Sequence, residues 1–310
     1  QLVISLVAYQ FAGDCEDHAS KQGGVMTTGF LSADEMDLAD QRVLLRLDVN
    51  VPIHNGQVSD DTRIKRIIPG LKALVAARAK IIILTHFGRP EGKIVPDLSI
   101  QPVANCMAKL MGQPVVVETD VIGAAGAMAV AALQAGNILM MENLRFYPEE
   151  EANDHGFAKK LAALGDIYVG DAFSCAHRAH ASVDALPRLM PAAAGHSFAA
   201  ELTALHAVLA APRRPVGAVV GGAKVSSKMA LLKNLVTKVD GLILGGSMAN
   251  TFLLAQGIQI GASLAESDMV NMARLVMERA DANGCRMILP TDFVVATAFA
   301  ANAPYRVTVG

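Results

Sequence analysis

Apolar, β-branched runs recur along the chain, separated by Ala- and Leu-rich stretches. The first five runs are "RVLLRLDVN" (42–50), "KIIILTHFGRP" (80–90), "QPVVVE" (113–118), "NILMMENLRF" (137–146) and "DIYVGDAF" (166–173). Between them lie helix-like segments such as "RIKRIIPGLKALVAARA" (63–79) and "QPVANCMAKLMG" (101–112). Continuous apolar runs alternating with helices predict parallel strands covered on both faces, an α/β architecture.

A Pro-containing stretch, "LPRLMPAAAG" (186–195), interrupts the alternation. A helical segment over about 197–211 and then "APRRP" (211–215) follow it. The strand pattern restarts with "VGAVVGGAK" (216–224), "GLILGGSMANTF" (241–252) and "RMILPTDF" (286–293). This predicts two α/β domains, each on a doubly wound parallel sheet, joined by a helix. Residues 26–190 form the first, 191–212 an interdomain helix or hinge, and 213–310 the second. The second half shows only three or four strands before "YRVTVG", so its sheet is expected to be incomplete, with an uncovered edge and apolar face. The chain opens without Met, and organised sequence begins soon after Met26, the first methionine. Residues 1–25 are therefore expected to be an upstream, read-through extension outside the fold.

A length of 310 residues suits two domains. The net charge of -2, without a clustered basic excess, argues against nucleic acid and anionic membranes as partners. No apolar run nears the ~18–20 residues of a membrane span. "QLVISLVAY" (1–9) lacks the basic region and cleavage site of a signal peptide. Cys15, Cys106, Cys175 and Cys285 lie far apart, without ligand-like spacing, which suits a reducing cytoplasm.

In open α/β sheets, ligands bind beyond the carboxyl ends of the strands. In the first half those ends carry Asp48 and Asn50, then His86 and Arg89, then Arg145, then Arg178, with Arg63 following the turn-like "SDDT" (59–62). Several arginine forks in such places predict a small, highly anionic substrate. In the second half the strands run into "GGAKVSSK" (221–228) and "GGSMANTF" (245–252). Glycines let backbone amides approach a nucleotide, and a following helix N-terminus favours phosphate. Lys224 and Lys228, one helical turn apart, are expected to face the same phosphates. A polyanion in one domain and a nucleotide in the other predict phosphoryl transfer in a cleft between them.

"AFSCAHRAH" (172–180) poses a separate choice among a metal site, a thiol nucleophile and an anion grip. The isolated cysteines offer no partners for a metal, and Cys175 and His177 stand too close in sequence to aim at each other. Arg178 is the expected phosphate clamp, His177 an added hydrogen bond, His180 local packing and Cys175 a small filler.

At these residues the chain strongly resembles phosphoglycerate kinase, from about Arg42 to the C-terminus. The resemblance runs through "RLDVNVP" (46–52), "DTRIK" (61–65), "THFGRP" (85–90), "ENLRF" (142–146), "DAFSCAHRAHAS" (171–182), "GGAKVSSK" (221–228), "GGSMANTFL" (245–253) and "LPTDFV" (289–294), in order. It implies two Rossmann-like, doubly wound domains linked by a helix, in a monomeric, cytoplasmic glycolytic kinase. It also implies reversible transfer of the acyl phosphate of 1,3-bisphosphoglycerate to Mg-ADP, giving 3-phosphoglycerate and ATP.

Carried over by position, Asp48, Val49 and Asn50 contact the glycerate. Arg63 stabilises the transferring phosphoryl group. His86, Phe87, Gly88 and Arg89, with Arg145, His177 and Arg178, hold the non-transferred phosphate. Lys224 follows the phosphoryl group, making Arg63 and Lys224 the catalytic pair. Gly221, Gly222, Ala223, Lys228, Gly245, Gly246 and Ser247 border the nucleotide. Ser247 stands where the family has a third glycine, and Gly170 where Asn often precedes "DAF", which is expected to loosen that strand end. The family pattern continues past Gly310 to a nucleotide-binding glutamate and an aspartate turn for Mg2+, so no metal ligand is assigned and these 310 residues are expected to be inactive. The alternatives are a non-catalytic phosphoglycerate-binding fragment and another α/β small-molecule kinase. A dehydrogenase would require GxGxxG after the first strand, which is absent.

Overall fold

The computed structural model describes residues 29–209, 212–298, 300 and 302–309. The extension assigned to residues 1–25 lies outside the described residues. The chain divides into two units, one ending at Ala204 and one beginning at Leu205.

The first unit is built on a parallel sheet. Its elements in order are β1 (Arg42–Leu47), a small hairpin of β2 (Ile53–His54) and β3 (Gln57–Val58), α1 (Thr62–Ala76), β4 (Lys80–Leu84), α2 (Gln101–Met111), β5 (Val115–Glu118), α3 (Ala124–Ala132), β6 (Ile138–Met141), α4 (His155–Ala162), β7 (Ile167–Asp171) and β8 (Ala192–Ala194). Helix α5 (His196–Leu209) follows. The six-stranded sheet has the order β5-β6-β4-β1-β7-β8. All its pairings are parallel.

Burial on both faces explains why these strands read as unbroken apolar runs. Val43, Leu45, Leu47, Ile81 and Ile83 point into one core with Ile64, Ile67 and Leu71 of α1 and Val103 and Met107 of α2. Their neighbours Leu44, Ile82 and Leu84 point the other way, against Val130 of α3 and Phe157 and Leu161 of α4. Each such side chain contributes roughly 1.5–3 kcal/mol by leaving water.

The sheet order also places the site. From β1 the chain winds out to β4, β5 and β6, then returns to lay β7 on the other flank of β1. Connections diverge between β1 and β7, and a crevice opens there beyond the strand ends.

The Pro-containing stretch expected to be only an interruption contributes the edge strand β8. Three alanines carry no periodic signal; they are a strand because Tyr168, Val169 and Gly170 pair with them. Gly170 does not loosen β7. The ladder continues through it to Asp171, paired with Leu47, and Gly170 O accepts from Gly195 N at 2.8 Å.

The second unit contains β9 (Gly217–Gly221), α6 (Met229–Leu235), β10 (Gly241–Gly245), α7 (Ser247–Ala255), α8 (Val270–Ala282), β11 (Arg286–Ile288), β12 (Asp292–Ala296) and β13 (Tyr305–Val309). Its parallel sheet has the order β11-β10-β9. One face carries Val220, Leu242 and Leu244 into a core with Leu232, Met248, Phe252 and Val276. On the other, Val219, Ile243 and Ile288 lie in register across the three strands and are 73%, 38% and 39% exposed. The run 286–293, expected as one strand, is divided. β11 stops at Ile288, Pro290 cannot donate to a ladder, and β12 instead pairs antiparallel with β13.

Candidate functional site

Four segments converge beyond the β1 and β7 ends of the first sheet. Asp48 is the first residue after β1. Its carboxylate accepts hydrogen bonds from Asn50 N at 3.1 Å, from an Arg63 terminal nitrogen at 3.0 and 3.1 Å, and from Ser174 Oγ. Burial alone would raise the pKa of Asp48, but the bonds from Ser174 and Asn50, with the Arg63 guanidinium nearby, hold it below the ordinary value.

The loop after β4 carries His86, Phe87, Gly88 and Arg89. Asn143, after β6, pins this loop. Its side-chain oxygen accepts from Phe87 N at 3.0 Å and Arg145 N at 3.1 Å, and its amide nitrogen donates to Phe87 O at 2.7 Å and Leu98 O at 3.0 Å. Gly88 has φ +59°, and a Cβ there would stand 2.7 Å from Leu98 Cδ2, so the turn requires glycine. Gly88 N donates to Asn50 Oδ1 at 3.2 Å, and Gly88 O accepts from an Arg145 terminal nitrogen at 2.7 Å.

The field here is positive. His86 is buried, and its pKa is pushed down to about 3, first by burial, then by Arg46 and Arg145, with Arg178 adding to the effect and Asp48 opposing it. The ring is therefore neutral. The Arg145 side chain is 4% exposed, and burial lowers its pKa. Its Nε lies 3.1 Å from Glu151 Oε1, near enough for an ion pair. The two are not aligned for a hydrogen bond, so that buried N–H has no acceptor. Arg178 is partly buried and its Nε donates to His177 Nε2 at 3.4 Å; Arg89 and His177 are exposed.

The structure corrects one expectation about Cys175. It does have neighbours of metal-ligand type: its Sγ, one Asp48 oxygen and one His86 nitrogen all lie within 4.8 Å of one another. Folding brings together residues that stand 38 to 127 positions apart, which local spacing does not reveal. The surroundings nonetheless favour an anion. Arg46, Arg145 and Arg178 act on His86, and Arg63 is paired to Asp48. Burial raises the Cys175 pKa, keeping it a thiol. The side chains of Val49 and Phe87 belong to the hydrophobic core, so these two residues offer the site only their backbone.

Several residues of this site escaped the sequence reading: Arg46, Asn143, Glu150, Ser174 and Ser182. Arg46 had a signal. It is a charged residue inside an apolar strand run, and buried arginines are rare unless paired.

In the second unit, β9 ends at Gly221 and β10 at Gly245, so the two glycine turns are adjacent. Gly246 has φ +67°, and a Cβ there would stand 3.1 Å from Gly222 O. Met248 N donates to Gly222 O at 2.9 Å, and Ser247 Oγ donates to Ala223 O at 3.1 Å. The Ser247 hydroxyl is thus turned onto the facing carbonyls, tying the two turns together.

Lys224 is exposed in the loop after β9, whereas Lys228 ends a 3-10 turn (Ser226–Lys228). Contrary to expectation, the two are therefore not successive positions on one helix face. The Lys228 stem lies on the glycine turn, with Cε 3.4 Å from where a Gly222 Cβ would be. Glu266 secures the same loop, accepting from Ser226 N at 2.9 Å and Ser226 Oγ at 2.6 Å.

Residues 33–309 match the family model described as phosphoglycerate kinase. The phosphoglycerate kinase of Ruegeria sp. (strain TM1040) is 55% identical over 275 residues, covering 89% of this chain and 69% of that protein. That of Bradyrhizobium diazoefficiens is 51% identical over 279 residues, covering 90% and 70%. Among solved structures, phosphoglycerate kinase from Coxiella burnetii superposes with a TM-score of 0.80 at 39% identity, covering 90% of this chain and 71% of that one. The enzyme from Pyrococcus horikoshii OT3 gives 0.74 at 26% identity with the same coverage.

Proposed function

The chain belongs to the phosphoglycerate kinase family, and on that premise we propose that each unit serves one of two substrates: 3-phosphoglycerate or 1,3-bisphosphoglycerate in the first, ADP or ATP in the second. Asp48 and Asn50 face the glycerate; His86, Arg89, Arg145 and Arg178, with His177, face its non-transferred phosphate. One observation carries this reading. Arg46, Arg145 and Arg178 converge on a neutral His86, and a buried Arg145 N–H lacks an acceptor. A polyanion supplies both the negative charge and the acceptor.

The reaction is transfer of the acyl phosphate to the terminal oxygen of ADP. The bond from phosphorus to the carboxyl oxygen breaks as the bond to ADP forms. The departing carboxylate is a weak base, so no protein base is needed. Arg63 and Lys224 neutralise charge on the moving phosphoryl group. Lys228, the turns Gly221–Ala223 and Gly245–Ser247, and the N-terminus of α7 receive nucleotide phosphates.

Mg2+ is the ion such chemistry requires, and the residues described in the second unit do not fit it. Mg2+ is held through hard carboxylate oxygens, and the Glu266 carboxylate near the turns is engaged by Ser226. No step is derived through the ion, which is proposed to arrive on the nucleotide. No helix among the described residues is long and apolar enough to cross a membrane; a cytoplasmic, monomeric protein is proposed.

The donor set at the turns, where the nearby Glu266 carboxylate is engaged by Ser226, favours a second reading: binding of phosphoglycerate without turnover. A coupled assay and titration calorimetry test both. We expect 3-phosphoglycerate to bind, Arg63→Ala or Arg178→Ala to weaken binding by about tenfold or more, and no sustained ATP formation. Steady ATP synthesis would refute the non-catalytic reading. Binding of a dinucleotide in place of 3-phosphoglycerate would refute both.

A further inference from the structure

Arg46, the fifth residue of β1, is 2% exposed, and every nitrogen of its fork is directed. Nε donates to Ser182 Oγ at 2.8 Å, one terminal nitrogen donates to Leu47 O, and the other lies 3.1 Å from His86 Nδ1. The chain of bonds continues inward. Ser182 Oγ donates to Glu150 Oε1 at 2.5 Å, and Ser182 N donates to Glu150 Oε2 at 2.9 Å. Tyr168 Oη donates to Ser182 O at 3.0 Å. Ser182 and Glu150 are both fully buried.

The directions in this chain are forced. An arginine has only donors. Ser182 Oγ must therefore accept from Arg46 and spend its own proton on Glu150. Equally, the Arg46–His86 contact requires Nδ1 to be a bare acceptor, which leaves the single proton of a neutral imidazole on Nε2. The remaining charged or titratable groups near that ring are Asp48 after β1, Arg145 after β6, and Cys175 and Arg178 after β7. None of these is an anchor for Nδ1. The Glu150 carboxylate also offsets the cost of burying the Arg46 charge, acting through the hydroxyl between them.

We propose that Glu150 and Ser182, acting through Arg46, are positioning residues that lock His86 as its Nε2–H tautomer, so that a buried neutral ring presents a hydrogen-bond donor to the anionic substrate. The substrate clause rests on the function proposed for this site; the tautomer clause does not. The relay lies wholly in the first unit, on elements separate from the substrate loops: one turn of helix before α4 for Glu150 and the segment after β7 for Ser182.

The test uses the whole 310-residue chain labelled with 15N-histidine. Long-range proton–nitrogen correlation distinguishes a bare ring nitrogen from a protonated one, and His86→Gln assigns the signals. The expected result is a bare Nδ1 and protonated Nε2. In Ser182→Ala an Nδ1–H population should appear, and 3-phosphoglycerate affinity should fall about tenfold, the worth of one hydrogen bond to a charged group. Glu150→Gln, close in shape, repeats the test by removing the charge instead of the hydroxyl, and covers the case in which one variant does not fold. A proton on Nδ1 in the unaltered chain would overturn the proposal, as would an unchanged tautomer in a folded variant. If the unaltered chain shows the Nε2–H ring yet binds no 3-phosphoglycerate, the substrate reading fails and the relay stands.

Discussion

Asn143 offers the sharpest test of how this site is held. It is 0% exposed, and its carboxamide makes four hydrogen bonds, two accepted and two donated, that join the loop after β4 to the loop after β6. Asn143→Ala leaves two N–H groups and two carbonyls facing a hole the size of an amide. Each buried group left unpaired costs about 1–3 kcal/mol, an upper bound near 12 kcal/mol for four. The hole is polar and large enough for one water, which restores two to four bonds. About 3–5 kcal/mol of lost stability in the first unit is the result. With a urea slope near 2 kcal/mol/M, the midpoint of that unit falls by about 2 M.

Asn143→Asp keeps the two accepted bonds but sets a second oxygen against Phe87 O and Leu98 O, so it should be comparably damaging despite its shape. The measurement is urea unfolding followed by far-UV circular dichroism and tyrosine fluorescence, fitted unit by unit because a two-unit chain need not unfold in one step. The exposed contact from Gln101 Nε2 to Asn105 Oδ1 provides a control, and Asn105→Ala should stay within about 0.5 kcal/mol. A midpoint for Asn143→Ala within about 0.25 M of the parent would refute the reasoning.

Three further outcomes follow from the same geometry. With a folded pKa of about 3 against an unfolded value near 6.5, His86 binds its proton more readily when unfolded, so its contribution to stability is present above about pH 6.5 and is lost as pH falls toward 3. His86→Asn should flatten that part of the stability profile, and a parent and variant with parallel slopes between pH 6.5 and 4 would contradict the assignment. Arg178→Ala should weaken 3-phosphoglycerate binding by about tenfold or more, while Cys175→Ala, which removes a buried un-ionised thiol, should change it less than about threefold; calorimetry showing the reverse order would make the thiol the functional group. Gly246→Ala must place a Cβ 3.1 Å from Gly222 O at φ +67°, so it should destabilise the second unit by about 1–2 kcal/mol and weaken ADP binding; unchanged melting and unchanged nucleotide affinity would show that the turns are not tightly coupled.

How much of this was legible in the chain differs from element to element. The runs 80–90 and 137–146 announced β4 and β6 because a strand buried on both faces must be apolar at every position. The strand-end residues Asp48, His86, Arg145 and Arg178 could be named because parallel strands carry all their carboxyl ends to one edge. β8 was not legible, since three alanines become a strand only when β7 offers them a partner. The break at Pro290 was written in the chain, but the antiparallel pairing of β12 with β13 depended on which segment lay alongside. Cys175 looked isolated by spacing, and the fold set it beside Asp48 and His86.

Sequence by itself determined the family, the parallel strands and the positions at which charge gathers, because burial and strand direction act locally and leave periodic marks. Only the tertiary structure decided which of those charges stay exposed, which nitrogen of His86 is bare, and that Asn143, Ser182 and Glu150 hold the site from behind. Hydrogen bonds between residues such as Arg46 and Ser182 join positions 136 apart, and no local pattern records a partner that folding alone brings within 3 Å.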